Sequence, residues 1–254
     1  VYGTEATRAS QESAKREFGA LSALREFGIN FAPEALSLHQ NALLMTWSEG
    51  QPLPRLPDLN DEEMWHRLMA MFGVSGELHL LDYSKHITMK GTGYQNPEDI
   101  LNEIEAGLDS LDENHSLYET LAGLWETASE RIQPRWNFAP QVGLCRRNYG
   151  LQDLLWDGHH LLTVDWDAAD WGDMAAEVAF WNVHPDYESI PSSHWMWVRW
   201  EFAHLTKDND VVTRATTYAQ LGQLWWAVQL TQADDPHQSA LRDRYVARAQ
   251  KIFR

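Results

Sequence analysis

Asp153 and Asp165 flank a stretch with the pattern of a tight ribbon: Leu154-Leu155-Trp156, the dipeptide Asp157-Gly158, then Leu161-Leu162-Thr163-Val164. Asp-Gly accommodates the positive φ angles of a tight turn between strands, so the spacing predicts a β-hairpin. With the turn there, the strand partner of Asp165 falls near Gly150, and Asp153 and Asp165 emerge at the same end of the ribbon. Facing carboxylates repel unless a cation lies between them. Paired hard oxygens suit Mg²⁺, which keeps several waters and completes its shell from substrate phosphates. The same spacing also describes two solvated turn residues on a surface hairpin. Just upstream, Arg146 and Arg147 carry guanidinium forks that match a phosphate or carboxylate. They can instead pair with nearby acids such as Asp165 or Asp167, which would remove the repulsion that a metal relieves.

Other chemistry-bearing patterns are weaker. Cys145 precedes Arg146, whose charge favours a thiolate, but a lone Cys after apolar residues is also the pattern of an inert strand residue. Gly91-Thr92-Gly93 lacks the preceding strand and third glycine of a phosphate-binding motif and reads as a loop. The histidines, His79, His159, His160, His184, His194 and His204 among them, show no His-Glu-x-x-His spacing on a helix. Trp195, Trp197, Trp200, Trp225 and Trp226 could stack on a flat or cationic ligand, though aromatics at helical spacing usually pack helices together.

The elements that must position these residues follow from periodicity. Phe18, Leu21, Leu24 and Phe27 recur every three or four positions, predicting a helix over Ala9 to Phe27 that ends at Gly28. Ala35 to Trp47 reads as two short strands about a turn at Gln40-Asn41. Between Glu49 and Asn60, Gly50, Pro52, Pro54 and Pro57 rule out a helix or a central strand, so the chain divides into residues 1–49 and 50–254. Helices are expected over Asp61 to Leu81, Pro97 to Leu111 and Leu117 to Ile132. After the hairpin, Asp173 to Trp181, Trp195 to Leu205, Val211 to Thr231 and His237 to Phe253 also read as helices. The result is a small mixed portion followed by a larger helical portion with one embedded hairpin.

Composition narrows the partners. Lys and Arg total 20 against 37 Asp and Glu, a net charge of −17, which opposes binding to nucleic acid or an anionic membrane and suits a small, cationic ligand. A single cysteine excludes an internal disulfide and a multi-Cys zinc site, and points to the cytosol. No apolar run approaches the roughly 20 residues of a membrane helix, and residues 1–16 lack the apolar core of a signal peptide.

Gly143-Leu-Cys-Arg-Arg-Asn-Tyr-Gly-Leu-Gln-Asp-Leu-Leu-Trp-Asp-Gly158, then Leu162-Thr-Val-Asp-Trp-Asp167 and Trp171-Gly-Asp173, resembles the catalytic core of the aminoglycoside phosphotransferase and choline kinase-like family. That family reads His-Gly-Asp, an Asn five residues on, a short hairpin, an Asp after an apolar strand, and a Gly-Asp pair opening a helix. Upstream, Arg16-Glu17-Phe18 to Leu24-Arg25 resembles its first helix and Leu44 to Gly50 its interlobe hinge, while the last helices match only in kind. The resemblance implies an α+β, protein kinase-like fold with a reduced N-terminal lobe, and ATP and Mg²⁺ as cofactors. It further implies that Asp165 holds Mg²⁺, that Glu17 faces the nucleotide lysine, that Met45, Thr46 and Trp47 meet the adenine, and that Asp173 braces the catalytic loop.

The chain departs from the family where the reaction occurs. His-Gly-Asp becomes Arg146-Arg147-Asn148, and an amide cannot take a proton from a hydroxyl at neutral pH. The metal-binding Asn becomes Asp153, so Asp153 and Asp165 could still chelate a cation while Asn148 only orients a substrate. Residues 1–16 contain no glycine-rich phosphate loop, and Glu17 lacks its expected lysine. Three readings follow: an impaired small-molecule kinase, a pseudokinase or binding module using the same cleft, and a metal-dependent hydrolase built on Asp153 and Asp165.

Overall fold

The computed structural model describes residues 8–39, 42–53, 61–79, 81, 93–132, 136–147, 150–233 and 235–254, the side chains of residues 8–10, 61 and 64 excepted. Helix α1, Arg8–Glu26, buries Ala14, Glu17, Leu21 and Leu24, spaced three and four apart, and so presents one stripe to the interior. Gly28, at φ +74°, ends it. Ile29 N–H reaches back to Leu24 O and Gly28 N–H to Arg25 O, closing the last carbonyls in a left-handed cap that glycine adopts without strain.

Strands β1, Ala35–His39, and β2, Ala42–Met45, pair antiparallel, from Ala35 opposite Met45 to His39 opposite Ala42. The expected turn at Gln40-Asn41 lies outside the described residues. Strand β3, Gln51–Pro52, forms the edge of a three-stranded sheet with β5, Leu154–Trp156, and β6, Leu161–Thr163. Pro52 is tolerated because an edge strand has no neighbour waiting for its missing N–H. Helices α2, Asp61–His79, α3, Pro97–Asp109, and α4, Tyr118–Ile132, follow. Asn96 and Asp99 close a capping box at the start of α3, with Pro97 at its first turn.

Strand β4, Val142–Cys145, pairs antiparallel with β7, Asp170–Asp173, from Val142 opposite Asp173 to Cys145 opposite Asp170. Both strands are short and widely separated in sequence, so local alternation carries no signal for this pairing. Gly93 packs on it: a Cβ there would stand 2.6 Å from Trp171 O, and only glycine lets the chain pass close enough for Asp173 N–H to donate to Tyr94 O at 2.7 Å. Helices α5, Met174–Val183, α6, Ser192–Thr206, α7, Val211–Ala233, and α8, Ser239–Phe253, complete the chain.

One core joins α3, α4, α5, α7 and α8. A second lies among α2, α5, α6 and the β5–β6 hairpin, and a third holds α1 against β1, β4 and β7. Of the tryptophans weighed as a stacking surface, Trp195 and Trp225 are buried in the cores, while Trp200 is 62% exposed. Among the described residues no helix is long and apolar enough to cross a membrane.

Asp173 ties the large core together. It caps α5 through Ala175 N–H at 3.0 Å, accepts two bonds from the Arg214 guanidinium at 2.8 and 2.9 Å, and accepts from Tyr218 O–H at 3.1 Å. Both charges are removed from water, so Asp173 depends on its Arg214 partner, which also pairs with Asp208 at 2.6 Å. Replacing Arg214 with Met should cost about 3–5 kcal/mol in urea unfolding, because Asp173 would be left charged and unpaired. Glu188→Gln, which breaks partly exposed pairs with Arg244 and Arg248, should cost under about 1 kcal/mol.

Candidate active site

The loop from Arg146 to Asp153 runs from the end of β4 to the start of β5, and residues 164–167 connect β6 towards β7. Asn148 and Tyr149 lie outside the described residues. Strand pairing sets the juxtaposition: Leu154 faces Thr163, and Val164 N–H donates to Asp153 O at 2.9 Å. Continuing that register puts Gln152, not Gly150, opposite Asp165. The difference arises because the hairpin closes through four residues, Asp157 to His160, with Gly158 at φ +102° and the Asp157 carboxylate accepting from the N–H groups of His159 and His160.

Asp165 sits at φ +61°, a left-handed conformation that aspartate tolerates better than most residues. Its carboxyl is raised from 3.8 to about 6, first by burial, then by the charges of Asp167 and Asp153, a hydrogen bond with Asp167, and Glu17. Asp153 is also raised, chiefly by burial, against the lowering effect of the Gly150 N–H and of Arg146. Glu17 is raised mainly by burial, while the Trp166 N–H, donated to it at 3.2 Å, opposes the shift. Asp165 thus lies within electrostatic reach of Asp167, Asp153 and Glu17.

Backbone and side chains hold these acids from several directions. Asp153 Oδ2 accepts from Gly150 N–H at 2.7 Å. Asp186 accepts from Leu151 N–H at 2.9 Å, closing the same turn. Ser13 O–H and Arg16 reach from α1 to Asp167, to its carboxylate at 2.5 Å and its carbonyl at 3.0 Å. Arg146 donates to the carbonyls of Val164 and Asp165, at 2.5 and 3.3 Å, and lies over the Trp166 ring at 4.6 Å. Its charge draws Asp153 and Glu17 downward. Arg147 turns the other way, pairing with Glu103 and stacking over Tyr94 at 4.2 Å. Tyr94 and Trp225 also donate to Glu103, at 2.5 and 3.1 Å.

At the strand connection, Met45 is half-buried against the α1 core, and Thr46 is bonded twice to Glu34, through its N–H at 2.9 Å and its hydroxyl at 2.8 Å. Trp47 is 89% exposed. Asp173 holds α7 through Arg214, whereas Glu177, one turn into α5, accepts the Arg146 N–H at 3.4 Å. Glu177, Asp186, Ser13 and Glu103 were not singled out from sequence. Glu177 carried a signal: it is a lone acid in the apolar run Met174-Ala-Ala-Glu-Val-Ala-Phe180, and a buried acid requires partners.

Of Glu17, Asp153, Asp165 and Asp167, two are held by backbone N–H groups, Asp153 by Gly150 and Glu17 by Trp166. Among the described residues the three metal-ligand groups with atoms all within 4.8 Å of one another are instead those of His79, Cys145 and Glu177. The upward shift of Asp165 comes first from burial and then from the neighbouring carboxylates.

Known proteins place this geometry in context. The model of a family described as the phosphotransferase enzyme family matches residues 4–199. The gentamicin complex of APH(2'')-IIa superposes with a TM-score of 0.70 at 13% identity, covering 97% of this chain and 85% of that one. The choline kinase of Cryptosporidium parvum gives 0.68 at 11% identity, covering 99% and 80%. A thermostable mutant of the aminoglycoside phosphotransferase APH(4)-Ia, in a complex with AMP-PNP and hygromycin B, gives 0.61 at 15%, covering 94% and 82%. At these identities the likeness establishes the fold, which is α+β and protein kinase-like. No curated protein sequence matches the chain.

The raised value of Asp165 gives a pH test. Its folded value, about 6, stands above its ordinary 3.8, so the folded state binds this proton more tightly. The resulting stabilisation is full below about pH 4 and is lost as pH rises through about 6. Asp165→Asn should therefore raise the melting temperature at pH 8 and have little or opposite effect at pH 4. Thermal unfolding scans across that range check it; an equal effect at both ends would show that Asp165 is not strained by its neighbours.

Proposed function

We propose, on the premise that this chain belongs to the phosphotransferase enzyme family, that it binds Mg²⁺ with nucleotide phosphates beside Asp153 and Asp165 and acts at most as an impaired kinase towards a small cationic alcohol. The carboxylates of Glu17, Asp153, Asp165 and Asp167 carry this reading. Mg²⁺, when bound, neutralises phosphate charge, which is most of what phosphoryl transfer requires of its site.

The chain's own residues divide the work. Asp153 and Asp165 offer oxygens to the cation. Arg146 fixes the backbone carrying Asp165 by gripping the carbonyls of Val164 and Asp165. The Asn148 amide can hydrogen-bond an acceptor hydroxyl and orient it, yet has no lone pair basic enough to take its proton. Binding and alignment are therefore supported more strongly than turnover. The net charge of −17 favours a cationic acceptor, and the neighbours named for choline, gentamicin and hygromycin B agree with a small hydroxylated ligand.

Millimolar Mg²⁺ with ATP should raise the melting temperature of the wild type, and Asp153→Asn or Asp165→Asn should abolish the shift. No shift in the wild type would end the nucleotide reading. Among small amino alcohols and amino sugars as acceptors, Asn148→Asp should increase phosphoryl transfer about 100-fold or more, the usual worth of a general base. A silent variant would place the deficit elsewhere in the site.

A further inference from the structure

We infer that Tyr94, Glu103 and Trp225 form a binding site for a compact organic cation, of the alkylammonium or guanidinium class, and that the chain keeps this site closed with its own Arg147. The inference goes beyond the nucleotide reading and is tested without it. Glu103 lies on α3, Trp225 on α7, and Tyr94 just ahead of α3. Tyr94 O–H and the Trp225 indole N–H both donate to Glu103 Oε2, at 2.5 and 3.1 Å. The other oxygen, Oε1, accepts from Nη2 of Arg147. Two neutral donors therefore hold the carboxylate in place, and one positive charge faces it.

The wall beside that carboxylate is aromatic. The Arg147 guanidinium carbon stands 4.2 Å from the Tyr94 ring centroid. Phe180 stacks on the same ring at 5.0 Å and meets Trp225 edge-on at 5.7 Å. An aromatic face next to a fixed carboxylate suits an organic cation, because the ring quadrupole attracts the charge while the apolar surface takes up the alkyl groups. The frame comes from α3, α5 and α7, whereas the guanidinium comes from the loop after β4. The site is thus organised by elements other than the one that fills it.

An ordinary salt bridge accounts for less of this arrangement. Arg147 meets Glu103 through one nitrogen, and its Nε, shielded from water, has no partner among the described residues. An occupant bonded so incompletely is displaceable. The side chains of Arg147 and Glu103 remain 24% and 37% exposed, which gives a ligand its route in. The cavity that Arg147 lines with Tyr94 and Phe180 holds only about 10 Å³, room for one water at most. An external cation therefore enters by taking the place of the guanidinium.

Titration of the full chain with tetramethylammonium chloride, without Mg²⁺ or ATP and against sodium chloride at equal ionic strength, tests the site through the NMR signal of the Trp225 indole N–H. Arg147→Ala should bind the ion about tenfold or more tightly than the wild type, whose site is open only in the small fraction of molecules with the guanidinium displaced. Adding Glu103→Gln to Arg147→Ala removes the anion while leaving an oxygen for Tyr94 and Trp225, and should cancel the gain. Equal affinity in Arg147→Ala and wild type would overturn the closed site, and a gain that survives Glu103→Gln would overturn the role of its carboxylate. Should Arg147→Ala not fold, Arg147→Gln, neutral and still able to donate to Glu103, is judged by the same two comparisons.

Discussion

Glu17, Asp153, Asp165 and Asp167 repel one another, yet the fold brings them within electrostatic reach from α1, the loop before β5, and the connection after β6. Any conformation that gathers like charges out of water must offset their repulsion. Here backbone N–H groups from Gly150 and Trp166, the Ser13 hydroxyl and the nearby Arg146 charge do so. The Asp165 carboxyl stays raised, first by burial and then by the charges of Asp167 and Asp153. A cation bound beside it would lower that cost as well as add attraction of its own.

This arrangement depends on two anchors that never touch the cleft. Asp173, Arg214 and Tyr218 lock α5 to α7 through paired, water-free charges. Glu177, on the same helix, receives His79 from α2 and reaches the loop backbone. Helix α5 therefore carries one acid at its cap and another one turn later, facing different neighbours. The first secures the helical core, and the second transmits its position to the loop.

The departures from the family pattern acquire a physical sense in this setting. Arg146 and Arg147, where the family has His-Gly, do not perform the same task. Arg146 is drawn under Trp166 and onto backbone carbonyls, and Arg147 is directed to Glu103 and Tyr94 on the α3 side. Their guanidinium planes are occupied by scaffold contacts, which suits a loop held for binding. Asp153 in place of Asn adds negative charge next to Asp165, which strengthens attraction for a cation and increases the repulsion in its absence.

Helices such as α1 and α3, and the strands β1 and β2, were legible because their signals are local: apolar spacing, a glycine at φ +74°, an Asn96 cap followed by proline. The Asp157-Gly158 hairpin was legible for the same reason. Its register was misjudged by two residues because loop length depends on side-chain bonds from Asp157 to the turn amides, which no dipeptide preference encodes. The β4–β7 pairing, the partners of the two arginines, and the His79–Glu177 contact belong to tertiary structure alone. Each joins segments tens of residues apart, and a buried charge selects whichever partner the packing brings within hydrogen-bond reach. Sequence fixes which groups need partners; only the folded chain determines which partners they obtain.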